Sequence, residues 1–171
     1  MSKIIQILTD EHKNILKVAD ILDNECTLLK QNKKIDKKMI LEIVNFIRNY
    51  ADKFHHAKEE DILFKEFCKN EEKLHCNPVE QMLYEHELGR GFVKGIEEGI
   101  NKEDNKKVIE NAQNYTSLIR EHIFKEDTIL YPMVDEILDN KTKEDMLKKF
   151  EKINSDRKDE IKNFENFANK K

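Results

Sequence analysis

The 171-residue chain has little to punctuate it: four glycines and two prolines. That scarcity excludes turn-rich sandwiches and barrels as well as glycine-rich nucleotide-binding folds, and favours long helices. Neither a Walker-type nor a dinucleotide glycine motif occurs. No apolar run approaches the roughly 20 residues of a transmembrane helix. The start, Met1-Ser2-Lys3-Ile4-Ile5, lacks the apolar stretch of a signal peptide. An excess of one charge is also missing: 31 basic residues are interleaved with 35 acidic ones, which leaves no basic stripe for nucleic acid. The three cysteines, Cys26, Cys68 and Cys76, are an odd number. Without an export signal they read as reduced thiols of a cytoplasmic protein.

What is present is helical periodicity. Residues 4–29 repeat apolar positions at Ile5, Leu8, Ile15, Ala19, Leu22, Cys26 and Leu29. A second helix is expected from about Asp36 to Cys68, with the stripe Ile40, Val44, Ile47, Ala51 and Ile62 beside a row of Ile43, Phe46, Tyr50 and Phe54. Pro78 suits the first turn of a third helix carrying Val79, Met82, Val93, Ile96 and Ile100. All four glycines fall on it, each costing about 1 kcal/mol against alanine. A fourth helix carries Val108, Ala112, Tyr115, Ile119, Ile129 and Met133, and a broken fifth pattern runs from Met146 to Phe164. The pattern predicts an all-α, up-down-up-down four-helix bundle in one domain over 1–171, its core at about 1–138 and a C-terminal capping helix at about 142–168.

The stripes are interrupted in the same way on every helix. His12 fills the gap between Leu8 and Ile15, His55 and Glu59 that between Ala51 and Ile62, His86 that between Met82 and Val93, and His122 and Glu126 that between Ile119 and Ile129. Burying such groups is costly unless they are paired or bind a metal. One inward histidine is usually a satisfied core residue; four, with two carboxylates, call for a shared reason. In an antiparallel hairpin, residues whose midpoint falls in the turn lie at one height. The midpoints of His12/His55, His55/His86 and His86/His122 are 33.5, 70.5 and 104, each inside a polar connection. The four histidines should therefore converge on one layer.

The chain also repeats itself. Glu11-His12 recurs as Glu85-His86, and the block from His55 to Phe64 recurs as His122 to Tyr131, keeping His, Lys, Glu, Ile and Leu. Two hairpins related by a pseudo-twofold would present two equivalent half-sites, the plan of a two-metal centre. In H-x-x-x-E the two side chains share a helix face. Imidazole with carboxylate suits iron, manganese or zinc rather than calcium or magnesium.

These blocks resemble the hemerythrin family, specifically its HHE cation-binding domains. The resemblance rests on Glu11-His12, the H-H-x-K-E-E-D-I-L-F block from His55, Glu85-His86, and the H-x-x-K-E-D-x-I-L-Y-P block from His122 to Pro132. It implies a bundle holding a non-haem centre of two iron ions that meets oxygen, nitric oxide or peroxide, with a redox partner. On that basis His12, His55, His86 and His122 are the terminal ligands and Glu59 and Glu126 the bridging carboxylates. Two departures stand out. The oxygen carriers place a second His four residues after the one on the third helix, where this chain has Arg90. They also take an Asp five residues after their last His; here that is Asp127, and the repeat favours Glu126. The missing ligand would be a water, an open position or a nearby side chain such as His56.

Other residues carry plainer readings. His56 lies about 100° round the helix from His55 and reads as packing beside the site. Glu60 and Asp127 read as surface groups or supports for the ligands, and Glu11 and Glu85 either face solvent or orient a neighbour. Cys68, His75 and Cys76 supply too few ligands for zinc. E-x-x-H occurs once, at Glu72–His75, and not twice as in ferritin-like proteins; H-E-x-x-H is absent. Four functions stay open: a small-ligand di-iron protein, a di-iron enzyme turning over peroxide or repairing iron centres, a redox-silent structural metal bundle, and a helical module whose His and Glu pair with each other.

Overall fold

The computed structural model describes residues 1–31, 36–70, 72 and 77–170, and among these the regular structure is helical, with no strand. Helix α1 spans Lys3–Lys30. Helix α2 is an unbroken run over 37–68: α-helical Lys37–Phe46, wider π-helical turns at Ile47–His56 and Glu59–Leu63, then α-helical Phe64–Cys68. Helix α3 spans Val79–Asn101. Helix α4 runs over 105–137, with a π-helical turn at Glu126–Leu130 between Asn105–Lys125 and Tyr131–Ile137. Aspartates start three helices: the carboxylates of Asp36, Asp104 and Asp139 accept from the amides of Met39, Lys107 and Thr142, filling donors that a helix cannot satisfy internally. Helices α1 to α4 close into the expected four-helix bundle, α4 lying between α1 and α3. His75 and Cys76 of the zinc reading lie outside the described residues.

The expected C-terminal helix is two: α5, Asn140–Asp156, and α6, Lys158–Ala168. The break is at Arg157, whose guanidinium donates to the carbonyls of Asn49 and Lys53, both 3.0 Å away in the π-helical part of α2. Phe150 and Met146 of α5 pack into the apolar cluster at one end of the bundle, and Phe167 of α6 into the cluster at the other.

Those two clusters are separate. One joins Ile15–Leu29, Ile40–Phe54, Val93–Ile100 and Val108–Ile123; the other joins Ile4–Leu8, Ile62–Phe67, Val79, Met82 and Leu130–Leu138. The polar layer of His12, His55, Glu59, His86, His122 and Glu126 falls where one cluster gives way to the other along each helix, and all six are buried. Apolar burial on both sides holds that layer away from water.

One position departs from the expected stripe. Ile129 is half-exposed, while Leu130 is buried in its place. A π-helical turn holds one residue more than an α-turn and rotates the rest of the helix by about one position. The turn at Glu126–Leu130 therefore hands the inward position to Leu130.

Candidate metal centre

The structure brings the six expected site residues together, one histidine from each bundle helix. The rings of His12 and His55 are 4.6 Å apart, and those of His86 and His122 4.8 Å. Each ring has its Nδ1 against a carboxylate: His12 with Asp127 at 2.9 Å, His55 with Glu11 at 2.9 Å, His86 with Glu60 at 2.7 Å, and His122 with Glu85 at 2.8 Å. A carboxylate accepts, so Nδ1 carries a proton and Nε2 faces the interior of the layer. This is the support that orients metal-binding imidazoles elsewhere.

The supports obey the repeat. Glu11 also receives buried Lys58, and Glu85 receives Lys125. Glu11–Lys58–His55 and Glu85–Lys125–His122 are thus equivalent, as are His12–Asp127 and His86–Glu60. Glu11 and Glu85 are buried and orient histidines rather than facing solvent. Burial pushes the Glu11 carboxyl up to about 7 against the pull of Lys58. Burial opposes the charge of Glu85 too, but His122 and Lys125 outweigh that and bring it to about 2.

At the centre, Glu59 and Glu126 reach the Nε2 side of the rings. Glu126 lies 3.3 Å from His12 Nε2 and 3.2 Å from His122 Nε2; Glu59 lies 3.6 Å from both His55 Nε2 and His86 Nε2. The Glu59 approaches are too long for hydrogen bonds, and those of Glu126 are not aligned as such. Nε2 of His55, Oε2 of Glu59 and both carboxylate oxygens of Glu126 are buried with no hydrogen-bond partner. Orphaned buried polar atoms cost about 1–3 kcal/mol each, and their clustering makes a cage that a cation completes. Two overlapping groups have one ligand atom per residue, all within 4.8 Å of one another: His12, His55, Glu59 and Glu126, and His56, Glu59, His86 and His122. Glu59 belongs to both.

Without a cation the layer holds protons instead. Burial and the charge of Glu126 push Glu59 well above the usual carboxylate range. Burial opposes charge on Glu126 too, but His122 and His12 outweigh it and hold Glu126 well below that range. Burial alone would lower His122; Glu126 and Glu85 reverse this and carry it to about 9. Its Nε2 lies 3.1 Å from His86 Nε2. With both Nδ1 atoms occupied, that contact needs one Nε2 proton, which His122 supplies.

Three features go beyond what the sequence settled. His56, which the sequence offers both as packing and as a candidate for the missing ligand, stacks on His86 with ring centroids 3.7 Å apart and stands in the second group. Both its nitrogens lack a hydrogen-bond partner, Asp52 being 3.6 Å away, and burial holds the ring neutral. The Tyr131 hydroxyl donates to Glu59 at 2.7 Å and lies 3.3 Å from His12 Nε2. Lys58 is fully buried, its ammonium 3.5 Å from the Phe54 ring centre. The repeat carries a signal for two of them: Tyr131 aligns with Phe64 and His56 with Ile123, so these are where the half-sites differ. Arg90 donates to Asp52, Glu60 and Glu87 and is committed to ion pairs.

Neither curated proteins nor solved structures give a significant match to this chain. A family comparison does: residues 3–134 match the Hemerythrin HHE cation binding domain. That span contains His12, His55, His56, His86 and His122, both central glutamates and the supporting carboxylates, and the chain belongs to the hemerythrin HHE cation-binding family.

Proposed function

We propose that this chain is a non-haem di-iron protein that takes oxygen, nitric oxide or peroxide at a His/Glu-ligated metal pair, for sensing, storage or detoxification. The observation that carries the reading is Glu59: one buried carboxylate shared by two four-residue groups, with its own Oε2, His55 Nε2, both nitrogens of His56 and both oxygens of Glu126 lacking hydrogen-bond partners. That is what a bridging ligand between two cations requires.

In this reading His12 and His55 would hold one ion and His86 and His122 the other, with Glu59 and Glu126 as the carboxylates between them. His56, which stands in the second group, would be a further ligand from α2 where α3 has Arg90. Bound iron would supply one-electron redox chemistry and a coordination position for a small ligand. The chain's own part is to fix the ring tautomers through Asp127, Glu11, Glu60 and Glu85, to exclude water with the apolar clusters, and to hold Tyr131 against Glu59. The proposal includes a cytoplasmic setting, which keeps the free thiols of Cys26 and Cys68 reduced, and a redox partner.

Elemental analysis of protein purified without added metal tests the reading, with two irons per chain as the expected result. A folded protein that holds no iron and takes none up on reconstitution would reduce the kinship to one of fold. A metal-loaded, colourless protein that does not respond to oxygen would support a structural metal. Repeated turnover of peroxide with a reductant would support an enzyme.

A further inference from the structure

Helices α5 and α6 lie beyond the residues of the family match, and their corner packs on the outside of the bundle at the polar layer. Ile153, near the end of α5, packs against both apolar clusters, so the corner straddles the layer between them. Arg157 stands at that corner and donates to the carbonyls of Asn49 and Lys53, 3.0 Å from each. These carbonyls belong to the ten-residue π-helical stretch of α2 that carries His55 and His56. π-helical turns are rare and mostly single, so a stretch of ten needs support from outside the helix. A guanidinium presents its donors in a rigid planar fork, and a fork held by two carbonyls four residues apart fixes the spacing of that turn. The Phe54 ring centre lies 5.5 Å from the Arg157 guanidinium and 3.5 Å from the Lys58 ammonium, and the Phe150 ring of α5 is 5.7 Å from the same ammonium. Lys58 in turn holds Glu11, which holds His55. The internal repeat shows what this corner adds. Phe54 aligns with Glu121, which is exposed. Lys58 has none of its side chain exposed, whereas its counterpart Lys125 has 31%.

We propose that Arg157 is a positioning residue for the His12–His55 half-site: by clamping Asn49 and Lys53 it holds the π-helical turn in register and keeps water from the Lys58–Glu11–His55 chain, so that the C-terminal corner sets the metal affinity of one half-site and not of the other. The metal consequence rests on the reading above; the hold on His55 does not, and it operates in the metal-free protein as well. The physical reason is screening. A charge-assisted bond is strong in a dry setting and weak where water competes for its partners. With the guanidinium gone, water reaches Lys58, whose ammonium can then exchange Glu11 for solvent, and Glu11 no longer fixes the tautomer of His55. Lys125 already meets solvent, so the support of His122 does not depend on this corner.

The imidazole Nδ1 protons report on this directly. In metal-free protein, proton NMR should show those of His55 and His122 protected from exchange by Glu11 and Glu85. In Arg157→Gln the His55 proton should exchange with water about tenfold or more faster, while that of His122 keeps its wild-type rate, because the opening is local. Arg157→Lys should behave in the same way, since one ammonium cannot span both carbonyls. Phe167→Leu is the control: it loosens the packing of α6 without touching the fork, and it should lower urea stability and leave the His55 proton unchanged. In cobalt(II) titrations of the full chain, Arg157→Gln should weaken one of two sites about tenfold, with loss of the cobalt-shifted signals of His12 and His55 and not of those of His86 and His122. Equal acceleration at His55 and His122, or the same acceleration in Phe167→Leu, would make Arg157 a general stabiliser and overturn the proposal. An undisturbed His55 proton in either arginine variant would overturn it too, and Arg157→Lys decides the matter if Arg157→Gln does not fold. A wild-type chain that takes up neither cobalt nor iron defeats the metal reading and leaves the His55 proton to judge Arg157. Two cobalt sites of wild-type affinity in Arg157→Gln defeat this inference alone.

Discussion

Replacing Glu59 with leucine should move the stability of the metal-free and metal-loaded protein in opposite directions. Glu59 is fully buried, and without a cation one of its oxygens has no partner. Its other oxygen accepts from Tyr131, whose hydroxyl keeps a 3.3 Å neighbour in His12 Nε2 if the carboxyl is removed. Relieving one orphaned polar atom returns about 1–3 kcal/mol, and fitting a branched side chain of similar size costs less than about 1.5 kcal/mol. A net gain of about 1–2 kcal/mol is expected in the metal-free state, in line with apolar replacement of other buried charges. For a chain of this length that raises the melting temperature by about 2–8 °C. With metal the order inverts. Wild type gains about 2.7 kcal/mol for each site when free metal stands a hundredfold above its dissociation constant. Because Glu59 serves both groups, the leucine variant should gain almost none of this at either site. Thermal melts of both proteins, with chelator and with ferrous iron, make the comparison. A metal-free variant less stable than wild type would refute the account of the unpaired layer. A variant with an undiminished iron-induced shift would refute the bridge.

Other perturbations separate support from ligation. Glu11→Gln and Glu85→Gln occupy equivalent places in the repeat, and each should weaken metal binding about 10–100-fold in a competition titration; no change in either would mean the carboxylates do not orient the rings. The pH dependence of metal-free stability should carry the mark of His122. Its folded pKa of about 9 is above the ordinary value of 6.5, so its contribution is fully present below pH 6.5 and disappears as pH rises through 9. Denaturant melts across that window should show the loss, and metal-loaded protein should not, since its Nε2 would be deprotonated. Two glycines of α3 should respond oppositely to alanine. At Gly99 a Cβ would stand 2.8 Å from Val108 Cγ2 and 2.9 Å from its backbone nitrogen, where α3 and α4 meet, so Gly99→Ala should cost about 1–3 kcal/mol. At Gly91 it would meet nothing within 4 Å, so Gly91→Ala should gain about 0.5–1 kcal/mol from helix propensity. Urea unfolding measures both, and equal effects would contradict the packing.

The agreement between sequence and structure is best where the signal is local and periodic. The bounds of α1, α2 and α3 follow the apolar stripes closely, because a 3.6-residue repeat is a property of a single segment. The inward layer was legible for a related reason: a histidine in an apolar stripe must be inward if the helix exists. Its common height followed from counting residues to each turn. Legibility fails at the π-helical turns, as Ile129 and Leu130 show. It fails again at Arg157, where a helix ends because a side chain is drawn to carbonyls more than 100 residues away in the chain.

The sequence alone therefore determined an all-α bundle, its one inward histidine per helix, the two central glutamates and the internal repeat that makes the half-sites equivalent. Each of these is a matter of residue type and spacing within one or two helices. The tertiary structure decided how the half-sites differ. It sets His56 on the face of His86 and brings Tyr131 from α4 to Glu59 of α2. Those relations depend on how side chains from separate helices meet, on scales of about 3 Å, after π-helical turns have rotated them. No spacing along the chain encodes that, because the packing of the four helices against one another settles it.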